Sequence, residues 1–370
     1  MPNQVSAVDC ISPAFVRTKR ILFGPFRFGL WARLAVVALV TGETGGGGGS
    51  ASLPNFNTNR GGDDHWKVAA RFLNEPDWHQ IQPYLTWIVL GALAVLALIL
   101  LWIYSDCVYR FILLESVITG QCRLREGWRR WRDAGRRYFL WAIAYAFGAL
   151  IAVGAVVGVP VLLAYRAGWF EKSEQHMGGL IGGVLLLVLV FVAVVATLAV
   201  IDLLARDFLV PVMAFENLGA MEGWRRLLPI VGAEKMAFTA YVLMKIVLAV
   251  GSAIIFTIVN LIVILVLLIP LAVLGVAGFF IGKGAGMVWD TPEILLVAGL
   301  GMLAVAAILY VVGFVYAPGL VFFESYTLEF FAARYGPLSN VMFPPSPPVT
   351  PPVTLAPPEE PFPPPEPFAA

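Results

Sequence analysis

Three glutamates stand in closely matching apolar settings: Glu115 in ILLES, Glu216 in MAFEN and Glu324 in VFFES. A carboxylate beside hydrocarbon is costly unless it is paired, protonated or turned to water. As a site, three such carboxylates meeting at one place could bind a cation, relay a proton or hold a lipid head group. As architecture, each is ionised, held by a nearby arginine, and helps turn the chain from a membrane span to a surface helix. Ser116, Asn217 and Ser325 would then be the N-caps of that turn. Repeated charges at membrane boundaries favour the architectural reading, with Arg225 or Arg226 as the expected partner of Glu216.

Other charges in apolar runs divide in the same way. Asp106 and Arg110, and again Asp202 and Arg206, are four apart, so each pair shares a helix face and reads as a local ion pair. Lys245 and Arg33 sit inside apolar stretches. Each either snorkels to the surface or pairs with a carboxylate of a neighbouring hairpin. Lys245 lies about two and a half helical turns past Met236, which favours snorkelling.

The stretch Leu124–Arg136 places Leu124, Trp128 and Trp131 on one helical face and Arg125, Arg129, Arg132 and Arg136 on another. That pattern describes an amphipathic helix lying in the membrane interface. Its arginines, with Arg225 and Arg226, would meet anionic head groups. Tryptophans held in lipid argue against nucleic acid as a partner. His65, His79 and His176, with Asp63, Asp64 and Asp77 near two of them, have no metal-ligand spacing, and neither do Cys10, Cys107 and Cys122. No phosphate loop, nucleophile elbow or zinc-protease motif is present. The expectation is a non-enzymatic protein with no metal and no cofactor.

The elements that must position these residues are membrane helices. The 370 residues are 59% hydrophobic and 13% charged, with a mean hydropathy of +0.82; a soluble domain carries roughly 25% charged residues. The apolar runs are long enough to cross a bilayer and lack the alternation of barrel strands. Spans are predicted over Tyr84–Tyr104, Tyr138–Tyr165, Leu180–Ile201 and Leu295–Pro318. Phe28–Thr41 is a short one. Met236–Ile281 reads as one long helix ending near Pro270, followed by an interfacial segment to Phe280. The first apolar run reads as a retained helix rather than a cleaved signal peptide.

An internal repeat supports this layout. The Asp/Arg pair and the EGWRR piece (Glu126–Arg130 and Glu222–Arg226) recur 96 positions apart, whereas Glu115 and Glu216 are 101 apart. The distribution of Lys and Arg then gives six spans with both termini cytoplasmic. The predicted fold is all-α and integral to the membrane. Three pseudo-repeated hairpins, about 12–104, 124–204 and 223–318, make up a helical domain over 12–336, with interfacial amphipathic helices that include 12–26. A polar tail precedes it over 1–11. The loop 42–83 holds a glycine linker (GGGGGS, 45–50) and a short surface helix from Asp63 to about Leu73. Residues 337–370 form a Pro-rich tail. It reads as disordered and is a possible docking segment for a protein partner.

Over FLVPVMAFENLGAMEGWRRL the chain resembles bacterial and archaeal multi-pass proteins related to the membrane domain of glycerophosphoryl diester phosphodiesterases. The resemblance is strongest over 200–260 and extends over 105–335. It implies a bacterial or archaeal cytoplasmic membrane. These 370 residues leave nowhere to place a catalytic barrel, so the phosphodiesterase activity is not implied. The functional expectation is a protein that interacts with lipid or organises a membrane complex. The alternative is a transporter or channel-like subunit that uses its intramembrane glutamates.

Overall fold

The computed structural model describes residues 6–24, 26–42, 78–167, 177–284 and 291–344. The glycine linker, the surface helix expected near 63–73, His65, His176 and most of the Pro-rich tail lie outside those residues. Every regular element described is a helix. In chain order they are α1 (Ile11–Phe23), α2 (Phe28–Thr41), α3 (Trp78–Thr119), α4 (Leu124–Arg166), α5 (Met177–Leu204), α6 (Val210–Glu216), α7 (Ala220–Ala233), α8 (Lys235–Gly284), α9 (Thr291–Ala332) and α10 (Gly336–Met342). One π-helical turn, Ala205–Leu209, joins α5 to α6 without a break. Five helical stretches are long and apolar enough to cross a membrane: those over α3, α4, α5–α6, α8 and α9. α2 is apolar but short.

The helices run further than the apolar patterning suggested. α3 continues from the predicted span through Asp106 and Arg110 to Thr119. The reason is local: the Arg110 guanidinium lies 3.0–3.2 Å from both carboxylate oxygens of Asp106, so the two charges neutralise each other along the helix and do not end it. The tryptophan–arginine stretch 124–136 is likewise not a separate interfacial helix. It forms the first turns of α4, because nothing between Arg136 and Trp141 breaks a helix. No interfacial segment follows Pro270 either. α8 passes through that proline, as α4 passes through Pro160 and α9 through Pro318. Membrane helices tolerate internal proline where neighbouring groups satisfy the freed carbonyls.

The polar–aromatic core occupies one end of the bundle. Phe111, Phe208, Met213, Tyr241, Tyr326, Phe330 and Phe331 are buried there, and α1 and α2 pack into the same region through Ala14, Leu22, Leu34 and Ala38. The apolar shafts beyond it, such as Leu93–Leu101 and Leu261–Leu274, are mostly exposed. We call the packed end the head. Two helix–turn–helix corners build it. α3 ends in the left-handed residue Gly120 (φ +68°), and α6 ends in Asn217 (φ +51°). The next helices start at Leu124 and Ala220, 96 positions apart. Gly127 and Gly223 hold equivalent places. A Cβ at Gly127 would meet Ile112 at 3.0 Å, and one at Gly223 would meet Leu209 at 2.6 Å. Ile112 and Leu209 are 97 apart, because the π-turn adds one residue to the second copy.

Candidate functional site

Lys245 and Asp207, 5% and 8% exposed, are buried charges of the head that face each other. Lys245 Nζ lies 2.6 Å from both carboxylate oxygens of Asp207. Tyr241 sits one turn before Lys245 on α8. Its hydroxyl donates to Asp207 Oδ2 at 2.9 Å and stands 2.7 Å from Thr327 Oγ1, which donates to the Phe323 carbonyl. Aromatic rings close the site: Tyr326 stacks on Tyr241 with centroids 5.3 Å apart, and Phe208 lies 5.0 Å from the same ring. Lys245 therefore does not snorkel. Asp207 lies in the π-turn, within reach, and pairing with it satisfies a buried ammonium.

The three glutamates do not occupy equivalent places. Aligned on the two left-handed corner residues, Gly120 and Asn217, Glu216 corresponds to Thr119, not to Glu115. Glu115 is four residues before the end of α3, Glu216 is the last residue of α6, and Glu324 lies well inside α9. None of the three turns is capped as expected. Ser116 is inside α3 and donates to the Ile112 carbonyl, Ser325 is inside α9, and Asn217 ends a helix rather than starting one.

Their environments differ accordingly. Glu115 accepts from Arg130 Nη1 at 2.8 Å and from the Trp131 indole N–H. It lines a cleft of about 430 Å³ with Arg123, Glu126 and Arg130. Glu216 accepts the Tyr335 hydroxyl at 2.7 Å, with Arg226 Nε 3.4 Å from its other oxygen. Burial, reinforced by Glu216 itself, pushes the Tyr335 phenol well above its ordinary range. Glu324 is half-buried. Glu115 and Glu216 are thus held separately, each by an arginine and an aromatic donor.

The Asp202/Arg206 pair closes with contacts of 2.7–3.0 Å, as the Asp106/Arg110 pair does. Arg33 donates to the Cys122 carbonyl at 2.7 Å, not to a carboxylate. Arg125, Arg129, Arg132, Arg136, Arg225 and Arg226 are exposed. Among them only Arg226 has an acidic partner among the described residues.

Several residues that tie the head together went unnoticed in the sequence. Arg137 clamps the left-handed Asn217, donating to its carbonyl at 3.0 Å and its side-chain oxygen at 2.6 Å. Arg334 pairs with Glu234 at 2.8 Å and lies over the Phe330 ring. Arg17 pairs with Glu329 at 3.2 Å. Their partners lie between 80 and 312 positions away, so no local pattern could reveal them. Asp207 did carry a signal. Five residues past Asp202, it lies on a different helical face from the Asp202/Arg206 pair.

No group of three or more metal-ligating side chains occurs among the described residues. Cys10 and Cys122 are buried; desolvation raises the Cys10 thiol to about 11 and pushes Cys122 up as well, so neither is a ready nucleophile. No curated protein and no solved structure matches the chain. The model of a family of unknown function, DUF7544, matches residues 5–341, and the chain belongs to that family.

Proposed function

We propose that this is a non-enzymatic multi-pass membrane protein whose head organises anionic lipid at the membrane surface. One observation carries the reading. Arg125, Arg129, Arg132 and Arg136 are exposed and without acidic partners among the described residues, on the first turns of α4. The same helix continues as an exposed apolar shaft from Leu140 to Leu163. Hydrocarbon suits the shaft, and phosphate-bearing head groups suit guanidiniums at its end.

Six crossings are part of the proposal. α1 belongs to the head through Arg17 and Glu329. α3 starts at the far end, about 63 Å from its own head end at 1.5 Å per residue. The proposal puts a crossing between them and assigns it to α2, an apolar though short helix. In this proposal the arginine-rich head faces the cytoplasm of a bacterial or archaeal cell, since basic residues favour that side. The test replaces the four arginines with Gln and measures anionic lipid retained on purification. Retention should fall, at about 1 kcal/mol per basic residue; unchanged retention would end the proposal.

The buried Lys245–Asp207–Tyr241–Thr327 chain favours a second reading, a transporter or channel-like subunit, since ionisable groups inside membrane helices often mark ion paths. Under that reading Asp207→Asn abolishes a cation- or proton-dependent flux in proteoliposomes. Under the first reading there is no such flux to lose.

A further inference from the structure

A cleft of about 840 Å³ lies between α1, the start of α2, the corner after α3, and α10. Its size falls within the range of ligand sites, roughly 300–1,000 Å³. It is separate from the exposed arginine face of α4. Three arginines line it: Arg17, Arg20 and Arg27. Glu329 neutralises Arg17. Arg20 and Arg27 are exposed and have no acidic partner among the described residues. The cleft therefore carries two uncompensated guanidiniums above walls that include Val16, Ile21, Leu30, Val117 and Ile118.

The surroundings place this cleft at the level of head groups. α1 buries Ala14, Thr18 and Leu22 against the head. Its outer side and the following turn expose Phe15, Phe23, Phe26 and Phe28, each more than half accessible. Phe23 and Phe26 pack around Trp31 with centroids 5.5 and 6.0 Å away. Water suits the arginines but not four exposed phenylalanines, and hydrocarbon suits the reverse. The zone just below the phosphates suits both.

We infer that the α1–α2–α3 cleft binds one anionic phospholipid, its phosphate held between Arg20 and Arg27 and its glycerol and upper acyl carbons against the apolar walls. This rests on the lipid reading above and deepens it from a charged face to a single site. A guanidinium fork matches phosphate oxygens with directional contacts, and Arg20 and Arg27 offer two such forks within one cleft.

The test is native mass spectrometry of the full chain in detergent, titrated with dioleoyl phosphatidylglycerol, dioleoyl phosphatidylcholine or inorganic phosphate. One phosphatidylglycerol should bind tightly and phosphatidylcholine should not. Arg20→Gln with Arg27→Gln should weaken that first event about thirtyfold, at roughly 1 kcal/mol per basic residue and 1.4 kcal/mol per tenfold. Val16→Trp, a change at an exposed wall position, should block it. Gln at 125, 129, 132 and 136 together should leave it intact. If phosphatidylglycerol binds no better than phosphatidylcholine to any version, the lipid reading itself fails. If it binds but the Arg20/Arg27 variant is unaffected, only the cleft assignment falls. Displacement by an equal concentration of inorganic phosphate would make the ligand a soluble anion. Binding that appears only after removal of 345–370 would give the cleft to the chain's own tail, which carries Glu359, Glu360 and Glu366 and no Lys or Arg.

Discussion

Replacing Lys245 with Met should cost this protein more stability than almost any other single change. The substitution keeps the length of the side chain but leaves Asp207, 8% exposed, with only the Tyr241 hydroxyl as partner. Breaking a buried ion pair by removing one member costs about 3–5 kcal/mol, because an uncompensated charge stays behind. At roughly 2 °C per kcal/mol for a chain above 150 residues, the melting temperature should fall by about 6–10 °C. Lys245→Met combined with Asp207→Leu should restore most of the loss. The pair is then replaced by apolar groups, and Tyr241 keeps Thr327 within 2.7 Å. The three cysteines supply the assay. Cys10, Cys107 and Cys122 are at most 3% exposed, so a thiol-reactive dye reports unfolding in detergent. A single variant that melts with the parent would show that Lys245 does not depend on Asp207. So would a double variant as damaged as the sum of the two singles.

Three further outcomes follow from the geometry of the head. A Cβ at Gly313 would lie 2.8 Å from the Ala35 carbonyl oxygen, a backbone atom that cannot step aside; Gly313→Ala should lower stability by about 1–3 kcal/mol, whereas Gly299→Ala on the same helix, which meets open space, should not in a melting comparison. Glu216→Ala should cost about 1–3 kcal/mol by leaving the buried Tyr335 hydroxyl unpaired, while Glu216→Gln retains an acceptor and should cost less, because Arg226 is 70% exposed; equal damage in the two melting curves would make Arg226 the partner that matters. Reporter fusions at 125, 225 and 345 should lie on one side of the membrane and those at 55, 174 and 288 on the other; agreement between 174 and 225 would rule out six crossings.

The helical class and the apolar stretches were legible because composition and run length alone encode them. Every apolar run expected from hydropathy falls inside an observed helix, and each of those helices but Phe28–Thr41 is longer than the run. The ends were misread wherever a charge stood in the helix, since Asp106 with Arg110 looks like a boundary until the pair is seen to neutralise itself. The glutamates were misread for another reason. Matching pentapeptides suggested one role for all three, but the mismatch between 96 and 101 already showed that Glu115 and Glu216 stand in different registers. Lys245 stands out in the sequence as a charge inside an apolar run, yet its partner lies 38 positions away, in a π-turn that hydropathy does not reveal. The cleft beside Arg20 and Arg27 brings together α1, α2, α3 and α10, and no local pattern points to such a meeting.

The polar contacts also explain why the head is the specified part of the fold. Between apolar shafts in lipid there is no hydrophobic driving force, because acyl chains are as apolar as leucine. Helix position must then be set by contacts that lipid cannot imitate: close backbone approach, charge and hydrogen bonds. All three are concentrated at the head. Gly127, Gly223 and Gly313 permit close approach. Arg17 to Glu329, Arg137 to Asn217 and Arg334 to Glu234 join α1 to α9, α4 to the second corner, and the end of α9 to the start of α8. Removing one lipid-facing side chain such as Leu185 or Leu303 takes away only contacts that an acyl chain replaces. Removing Arg137 releases the left-handed cap that sets the direction of the chain into α7. On the proposed lipid-organising reading, such a head would present its exposed guanidiniums at the membrane surface while the shafts conform to the bilayer around them.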